Sequence, residues 1–174
     1  MWDLNGNIYE FADGYQLSDG VILIVKDNDA AARDDVLSGA NPINAIYKSV
    51  LYSGALADLG TAGQMKFAAA GSIVNYDIPW NSGQQFKNVP QTYVIDGSTA
   101  AAPAILKELC IVPHDSGDYG SDYAYYTATG ARVCLRGGSW RLSSSAGVFC
   151  VNLGHSLTAT DNIVGARPAF YRSW

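Results

Sequence analysis

Hydrophobic positions divide this chain into segments with a strand pattern and segments with a helix pattern. NIYEF at residues 7–11 alternates apolar and polar positions and predicts a strand, which the turn residues of ADGYQLSDG (12–20) close. VILIV at residues 21–25 is an uninterrupted apolar run, which is typical of a buried strand. VCLRGGSW, GVFCVNL and PAFYRSW, all after residue 132, also have strand character.

The middle of the chain carries the helix patterns. NPINAIYKSVLYSG (41–54) offers Asn41 as an N-cap, Pro42 at the first helical position and apolar residues at helical spacing. TAGQMKFAAAGS (61–72) predicts a second short helix, and APAILKELCIV (102–112) predicts a third that its proline opens. The stretches between and after these segments are loop-rich, above all the Gly/Asp/Tyr segment that precedes VCLRGGSW.

Helices in the middle and short strands near both ends predict an α+β fold. The aromatic-rich segments IYEF and AFYRSW are expected to pair with each other as terminal strands. A length of 174 residues suits one domain over residues 1–174, with 48% hydrophobic residues for a sizeable core. Because MWDLNGN starts abruptly, we expect this domain to be the C-terminal part of a longer protein.

Charge narrows the range of partners. The chain has a net charge of −5, which argues against a general nucleic-acid binder. No apolar run has the length of a membrane span, and the N-terminal residues lack the basic and apolar regions of a signal peptide. From Ala131 onward, five arginines face a single acid, Asp161. We interpret some of these arginines as partly buried ion-pair anchors, with a basic binding face as the alternative.

The three cysteines give no sign of a redox or zinc site. Cys110, Cys134 and Cys150 lack CxxC spacing and lie among apolar residues, which predicts buried free thiols. With two histidines in the chain, there is also little basis for a catalytic triad. The residues themselves therefore predict no enzyme, no cofactor and no metal centre.

One acidic loop leaves a calcium site open. Asp115, Asp118 and Asp122 lie close together in the sequence on a glycine-bearing loop, and carboxylate oxygens are the ligands that calcium prefers. The EF-hand pattern is absent, so solvated acidic side chains are the favoured interpretation.

Three short motifs, taken together, resemble a known superfamily. WDLNGNIYEF (2–11), LRGGSW (135–140) and IVGARPAFY (163–171) are similar, in this order, to boxes of formylglycine-generating-enzyme-like domains. The resemblance implies a C-type-lectin-like fold with paired terminal strands, two or so helices and long irregular insertions. In the oxidase branch of the superfamily, active-site cysteines follow the RGGS box, but this chain has RLSSSAG there. A thiol- or copper-based oxidase needs thiolates, so the departure removes that chemistry.

Two segments without periodicity separate the fixed motifs. They are RLSSS at residues 141–145, here called the first patch, and GHSLTATDNI at residues 154–163, here called the second patch. RGGSW, patch, AGVFCVNL, patch and VGARPAF resemble the variable region of major-tropism-determinant-like proteins, which diversity-generating retroelements rewrite. The variable region would cover about residues 135–171. Altering asparagine codons at their adenines never yields Lys, Glu, Gln, Trp or Met, and neither patch contains these residues.

The resemblance implies a receptor-binding function for the two patches. They are expected to form one exposed, hypervariable face, because both flank the same predicted strand and loops on a rigid scaffold are common binding sites. The implied partner is a protein or other receptor on a cell surface, with neither nucleic acid nor membrane. The implied location is the virion, as a phage tail fibre, or the bacterial cell surface, and a homotrimer is one expected assembly.

The fixed motifs and the patches are expected to divide the work. Trp140 and Phe149 are predicted to be core anchors, Gly137 and Gly138 to serve backbone geometry, and Arg167 to be structural. The predicted ligand-binding residues are Arg141, Leu142, Ser144, Ser145, Gly154, His155, Leu157, Thr158, Thr160, Asp161 and Ile163.

Two other functions stay open from the sequence. One is a degenerate formylglycine-generating-like oxidase, which would bind copper or turn over a cysteine-containing peptide. The other is an inert structural module of a phage tail or surface fibre, with no ligand and no variation at the end of its gene. The chain lacks a calcium–sugar signature of the E-P-N or W-N-D kind, so a carbohydrate ligand is not favoured.

Overall fold

The computed structural model describes residues 8–26, 47–69, 72–80, 83–156 and 158–165. These residues are mostly β-sheet with a few short helical segments, which is compatible with an α+β class poor in helix. No described helix is both long and apolar enough to cross a membrane. The strands in chain order are β1 (Tyr9–Ser18), β2 (Val21–Val25), β3 (Tyr47–Val50), β4 (Leu56–Ala57), β5 (Lys66–Ala69), β6 (Asp77–Trp80), β7 (Gly83–Gln85), β8 (Thr92–Ile95), β9 (Ser98–Ala101), β10 (Tyr123–Tyr126), β11 (Ala131–Arg136), β12 (Val151–Leu153) and β13 (Val164–Gly165).

One sheet contains eleven of these strands, and its path runs β4-β3-β2-β1-β11-β12-β10-β7. Three more strands join it off this path: β13 pairs with β1, β5 with β2, and β6 with β5. β8 and β9 form a separate two-stranded sheet. The helical segments are α1 (Ala104–Glu108) and two 3₁₀ segments, Phe86–Asn88 and Trp140–Ser145.

A hairpin of β1 and β2 lies in the middle of the main sheet. The two strands are antiparallel, and Asp19 and Gly20, both with positive φ, connect them. A Cβ on Gly20 would lie 2.5 Å from the carbonyl oxygen of Phe67, so this turn requires glycine. The predicted strand end after Phe11 is wrong, because β1 continues to Ser18. A register irregularity between Phe11 and Gln16 absorbs the polar residues as a bulge.

The buried side chains form a large cluster and two smaller ones. The large cluster contains fully buried residues such as Leu17, Phe67 and Tyr126, and the Tyr126 ring meets the Trp80 ring edge-on at 4.0 Å between centroids. The smaller cluster that matters for the site consists of Tyr9, Leu135 and Cys150. Leu142 of the first patch and Ile163 of the second patch pack on this cluster, which we call the lower cluster.

Two of the predicted helices are wrong where the structure describes them. Tyr47–Val50, from the first predicted helix, is β3, which pairs antiparallel with β2. Lys66–Ala69, from the second, is β5, which pairs with β2 and β6. In both segments, burial against a neighbouring strand outweighs a weak local helix propensity. Residues 41–46 and 70–71 lie outside the described residues.

The third predicted helix is confirmed as α1, which begins directly after Pro103. The segment 73–101, predicted as loop-rich, contains the short strands β6 to β9 instead. The acidic loop also ends in a strand that was not predicted, β10. Each of these strands has only three or four residues, with little alternation of apolar and polar positions, so the sequence pattern does not predict them.

The strands at VILIV and at VCLR are confirmed as β2 and β11. In GVFCVNL, only Val151–Leu153 is a strand. The predicted partner segment AFYRSW lies outside the described residues, so its pairing stays a prediction. The structure does bring the late part of the chain to β1: β13 pairs in parallel with it, with Tyr9 opposite Val164. The Tyr9 amide donates to the Ile163 carbonyl over 2.7 Å.

Candidate functional site

The candidate site begins where β11 ends. Gly137 and Gly138 have positive φ values of 84° and 73°, which turn the chain out of the sheet. A Cβ on Gly138 would lie 2.7 Å from the Cβ of Ala146, so the two ends of the loop approach too closely for any side chain there. The prediction that these glycines serve backbone geometry is confirmed.

The first patch lies on an exposed 3₁₀ segment, Trp140–Ser145. None of its residues is buried, and Arg141, Ser143 and Ser144 are exposed. Ser143 adopts φ 49° and ψ −122°, which is the conformation that glycine prefers at the first central position of a type II′ turn. A serine in this conformation stores strain on the order of 1–3 kcal/mol, and such strain often occurs at functional surfaces.

Trp140 belongs to the same surface, contrary to the prediction of a core anchor. Its side chain is 59% exposed. The Arg141 guanidinium lies over the indole ring, 5.1 Å from the centroid, at a distance typical of a cation–π contact. The chain turns outward at Gly138, so Trp140 no longer follows the alternation of side chains along β11. Its side chain therefore lies outside the core.

The second half of the β11–β12 loop is anchored to the core. The buried carboxylate of Asp122 accepts a hydrogen bond from the Phe149 amide over 2.8 Å. A Cβ on Gly147 would lie 2.1 Å from Asp122 Oδ1, so only glycine fits against this carboxylate. The Phe149 ring stacks on Phe86 at 5.9 Å between centroids. Phe149 is therefore packed against the large cluster, as the sequence predicted.

The second patch follows β12 and returns to β1. Gly154 and His155 lie at its start and are half-buried, whereas Thr158, Thr160 and Asp161 are exposed. Leu157 lies outside the described residues. The second patch thus presents polar side chains to solvent along its later part.

Gly154 has a packing role that the sequence did not indicate. A Cβ there would lie 2.5 Å from the Tyr125 ring, and its amide donates to Asn152 Oδ1 over 2.8 Å. Its carbonyl accepts from Arg132 Nη1 over 2.9 Å. His155 is held in a similar way, because its carbonyl accepts from the Val133 amide, and its ring lies 6.5 Å from the Tyr9 ring. Both residues are therefore fixed by contacts within the protein.

The two patches meet directly. Arg141 Nη2 donates to Asn162 Oδ1 over 3.1 Å, which joins the exposed edge of one patch to that of the other. Beneath this contact, Leu142 and Ile163 both pack on the lower cluster. One surface therefore contains inward-facing anchors from each patch and outward-facing polar side chains from each patch.

The predicted ligand-binding residues divide into three groups. Five are exposed: Arg141, Ser144, Thr158, Thr160 and Asp161. Five are half-buried: Leu142, Ser145, Gly154, His155 and Ile163. Leu157 alone is undescribed. The role of every one of them in binding stays a prediction.

Sequence reasoning missed Trp140 and Asn162 as members of this surface, and it also missed the exposure of Val148 in the same loop. Trp140 and Val148 are large apolar side chains, 59% and 56% exposed, in motifs that looked structural. Asn162 lies inside the second patch, but its link to Arg141 depends on a contact between residues far apart in the sequence. The glycine pair before Trp140 was the one available signal of an outward turn.

The described arginines do not act as ion-pair anchors. Arg132 donates to the carbonyls of Thr129 and Gly154, and Arg136 donates to the carbonyls of Leu109 and Cys110. Arg141 donates to an amide oxygen. Among the described residues, these three arginines donate to neutral oxygens and form no ion pair, so the ion-pair interpretation is not supported for them there. Arg167 lies outside the described residues.

The acidic loop uses its carboxylates for local hydrogen bonds. Asp115 Oδ1 accepts from the Gly117 amide, which lowers the pKa of Asp115, and Asp118 Oδ1 accepts from the Gly120 amide. Asp122 is directed at the β11–β12 loop, as described above. Within the described residues, no three His, Cys, Asp or Glu side chains are grouped as metal ligands.

The cysteines beneath and beside the site are free thiols. Cys134 and Cys150 are buried and Cys110 is half-buried, which confirms free thiols and full burial for two of them. Burial raises the pKa of Cys150 to about 11 and also raises the pKa of Cys134. Both thiols are therefore protonated near neutral pH and poor nucleophiles or metal ligands.

Comparison of the sequence with protein-family models and with curated proteins found no match.

Proposed function

We propose that this chain is the ligand-binding domain of a diversity-generating-retroelement variable protein, with a C-type-lectin-like fold. The two patches form its hypervariable receptor-binding face. The observation that carries the proposal is the Arg141–Asn162 hydrogen bond above a shared set of anchors, because it joins two patternless segments into one surface. A set of nearly random side chains can bind as a unit only if a rigid support holds them together.

The chemistry of this face suits a protein partner. Trp140, Arg141 and Val148 are exposed close together in the sequence, and Trp and Arg are the residue types most enriched at binding hot spots. Small hydroxyl side chains such as Thr158 and Thr160 are exposed in the second patch and offer adaptable hydrogen-bonding groups. The partner in this proposal is a protein or other receptor on a cell surface. In this proposal the protein acts on a phage tail fibre or a bacterial surface, and a homotrimer is its assembly.

An oxidase is a weaker proposal on physical grounds. A thiol- or copper-based oxidase needs accessible thiolates, and the pKa of Cys150 is raised to about 11 by burial. The fixed motifs in this proposal supply the scaffold. A Cβ on Gly138 would collide with Ala146 across the loop, and a Cβ on Gly147 would collide with Asp122.

Deep sequencing of the end of this gene across its source population tests the proposal. We expect substitutions at codons for the exposed positions, such as Ser144, Thr158 and Thr160, and none at Gly138 or Gly147. Gly154 makes the test sharper than the patch boundaries alone: it lies in the second patch, but its contact with Tyr125 predicts that it stays glycine. Uniform sequence at the exposed codons, or changes spread evenly over both classes, would contradict the proposal.

A further inference from the structure

A cavity of about 650 Å³ lies on the other face of the sheet from the lower cluster. Adjacent residues of a strand point to opposite faces, and here Leu135 packs in the lower cluster whereas Arg136 lines the cavity. The walls are mainly aliphatic, with Ile24 from β2, Leu56 from β4, and Ile105 from α1. The volume falls within the range of about 300–1,000 Å³ that is typical of small-molecule sites.

Arg136 is the cationic group of this cavity. Its Nη2 atom donates to the carbonyls of Leu109 and Cys110 at 3.2 and 3.0 Å, at the C-terminal end of α1. The guanidinium carbon lies 6.0 Å from the centroid of the Tyr15 ring. These contacts hold the guanidinium in place and fix its direction, and they engage Nη2 with carbonyl oxygens. The only other hydrogen-bonding neighbour among the described residues is the Cys134 thiol, a weak acceptor.

The charge of Arg136 has no acidic partner among the described residues. Glu108 lines the cavity and Glu10 lies opposite Arg136 in the strand register, but neither forms an ion pair with it within 4.0 Å. Its Nε and Nη1 atoms make no hydrogen bond with an oxygen atom of the described residues. A guanidinium in an apolar setting is strongly stabilised by a bidentate carboxylate, because that pairing matches its planar geometry.

We propose that this cavity binds a small organic monocarboxylate with an aliphatic tail. The carboxylate pairs with the Nε and Nη1 atoms of Arg136, and the tail packs against Ile24, Leu56 and Ile105. This site is separate from the receptor-binding face, so it stands or falls independently of the function proposed above.

Titration with decanoate, below its micelle concentration, tests the proposal on the whole chain. Binding is followed by calorimetry and by changes in the amide NMR spectrum. We expect saturable binding, with shifts at cavity residues such as Ile24 and Ile105, and at least tenfold weaker binding of decanol. The uncharged alcohol has the same tail, so the ratio isolates the contribution of the guanidinium.

Two variants make the test specific. Arg136→Met is expected to remove the preference for decanoate over decanol. Because Arg136 also caps α1, Leu56→Trp serves as the second variant: it fills the cavity and should weaken decanoate binding at least tenfold. Val74→Trp adds the same side chain at an exposed position away from the cavity and should leave binding unchanged. No saturable binding, equal affinity for the alcohol, or full binding by Leu56→Trp would overturn the proposal.

Discussion

The two halves of the β11–β12 loop differ in almost every physical respect. Residues 140–145 have no buried member, contain a strained serine and present Trp140 and Arg141 to solvent. Residues 146–150 include three buried positions and are held by Asp122 and by ring contacts of Phe149. The halves are joined at their base, where Gly138 meets Ala146.

This difference separates residues that specify the loop from residues that the loop displays. In the anchored half, glycine is required by contact, and the buried carboxylate of Asp122 is satisfied by a backbone amide. In the exposed half, most side chains end in solvent, so their identity has little effect on the fold. A surface whose residues vary needs an adjacent anchored segment, because that segment then maintains the stability of the loop.

The largest expected effect is in the anchored half, for Gly147→Ala. The new Cβ would lie 2.1 Å from Asp122 Oδ1, so the carboxylate must move and the Phe149 amide loses its acceptor. We expect a loss of about 2–3 kcal/mol in the free energy of unfolding, measured by urea denaturation.

Two further variants separate the clash from other effects of that alanine. Gly120→Ala, with a positive φ and no atom within 4 Å of its Cβ, should lose only about 1 kcal/mol. Asp122→Ala in the Gly147→Ala background should show coupling, because it removes the colliding group. If Gly147→Ala has the stability of the parent protein, the anchored half is not the rigid support that the comparison requires.

The next effect is a pH dependence that arises from Cys150, at the end of the anchored half. Burial raises its pKa from 9.0 in the unfolded chain to about 11 in the folded protein, so folding favours the protonated thiol. This stabilisation is complete below pH 9 and is lost as the pH rises towards 11. It amounts to about 2–3 kcal/mol.

Urea denaturation at a series of pH values from 8 to 11 measures this loss, with Cys150→Ala as the comparison. The variant has a constant deficit from its missing sulfur, but its stability should fall less steeply between pH 9 and 11. Parallel profiles for the two proteins would show that Cys150 titrates as it does in water.

The smallest effect is expected in the exposed half, for Ser143→Gly. Glycine adopts φ 49° without the steric penalty of a Cβ, so the free energy of unfolding should rise by about 0.5–1 kcal/mol. Ser144→Gly is the matched control. The same change at the adjacent residue raises the conformational entropy of the unfolded chain, which lowers stability, but it relieves no strain in the folded state. Thermal denaturation of both variants gives the comparison, and equal losses would contradict the strained turn.

Only part of the main sheet could be predicted from the sequence: the uninterrupted apolar run VILIV is buried as β2, and β11 and parts of β1 and β12 also follow predicted strands. Where the structure describes them, the helices predicted at residues 41–54 and 61–72 are wrong for a physical reason. Apolar residues three to four positions apart also occur by chance in short strands, and long-range pairing with β2 decided between the two. The helix at Pro103 succeeded because its start signal is local.

The site was predictable in outline only. The fixed motifs bounded the patches, and the glycine pair marked a backbone turn. The exposure of Trp140 and the packing role of Gly154 could not be predicted, since each depends on residues brought together from distant parts of the chain. The same holds for the Arg141–Asn162 hydrogen bond, which links positions on two different loops.

The parallel pairing of β13 with β1 has a consequence for how this chain can evolve. The segment between β12 and β13 is tethered at both ends, by β12 in the sheet and by the Tyr9–Ile163 hydrogen bond. Amino-acid substitutions within this segment keep both tethers in place. Adding or deleting one residue would shift the strand by one position and reverse which side chains face inward. The architecture therefore tolerates amino-acid substitutions in this segment better than insertions or deletions.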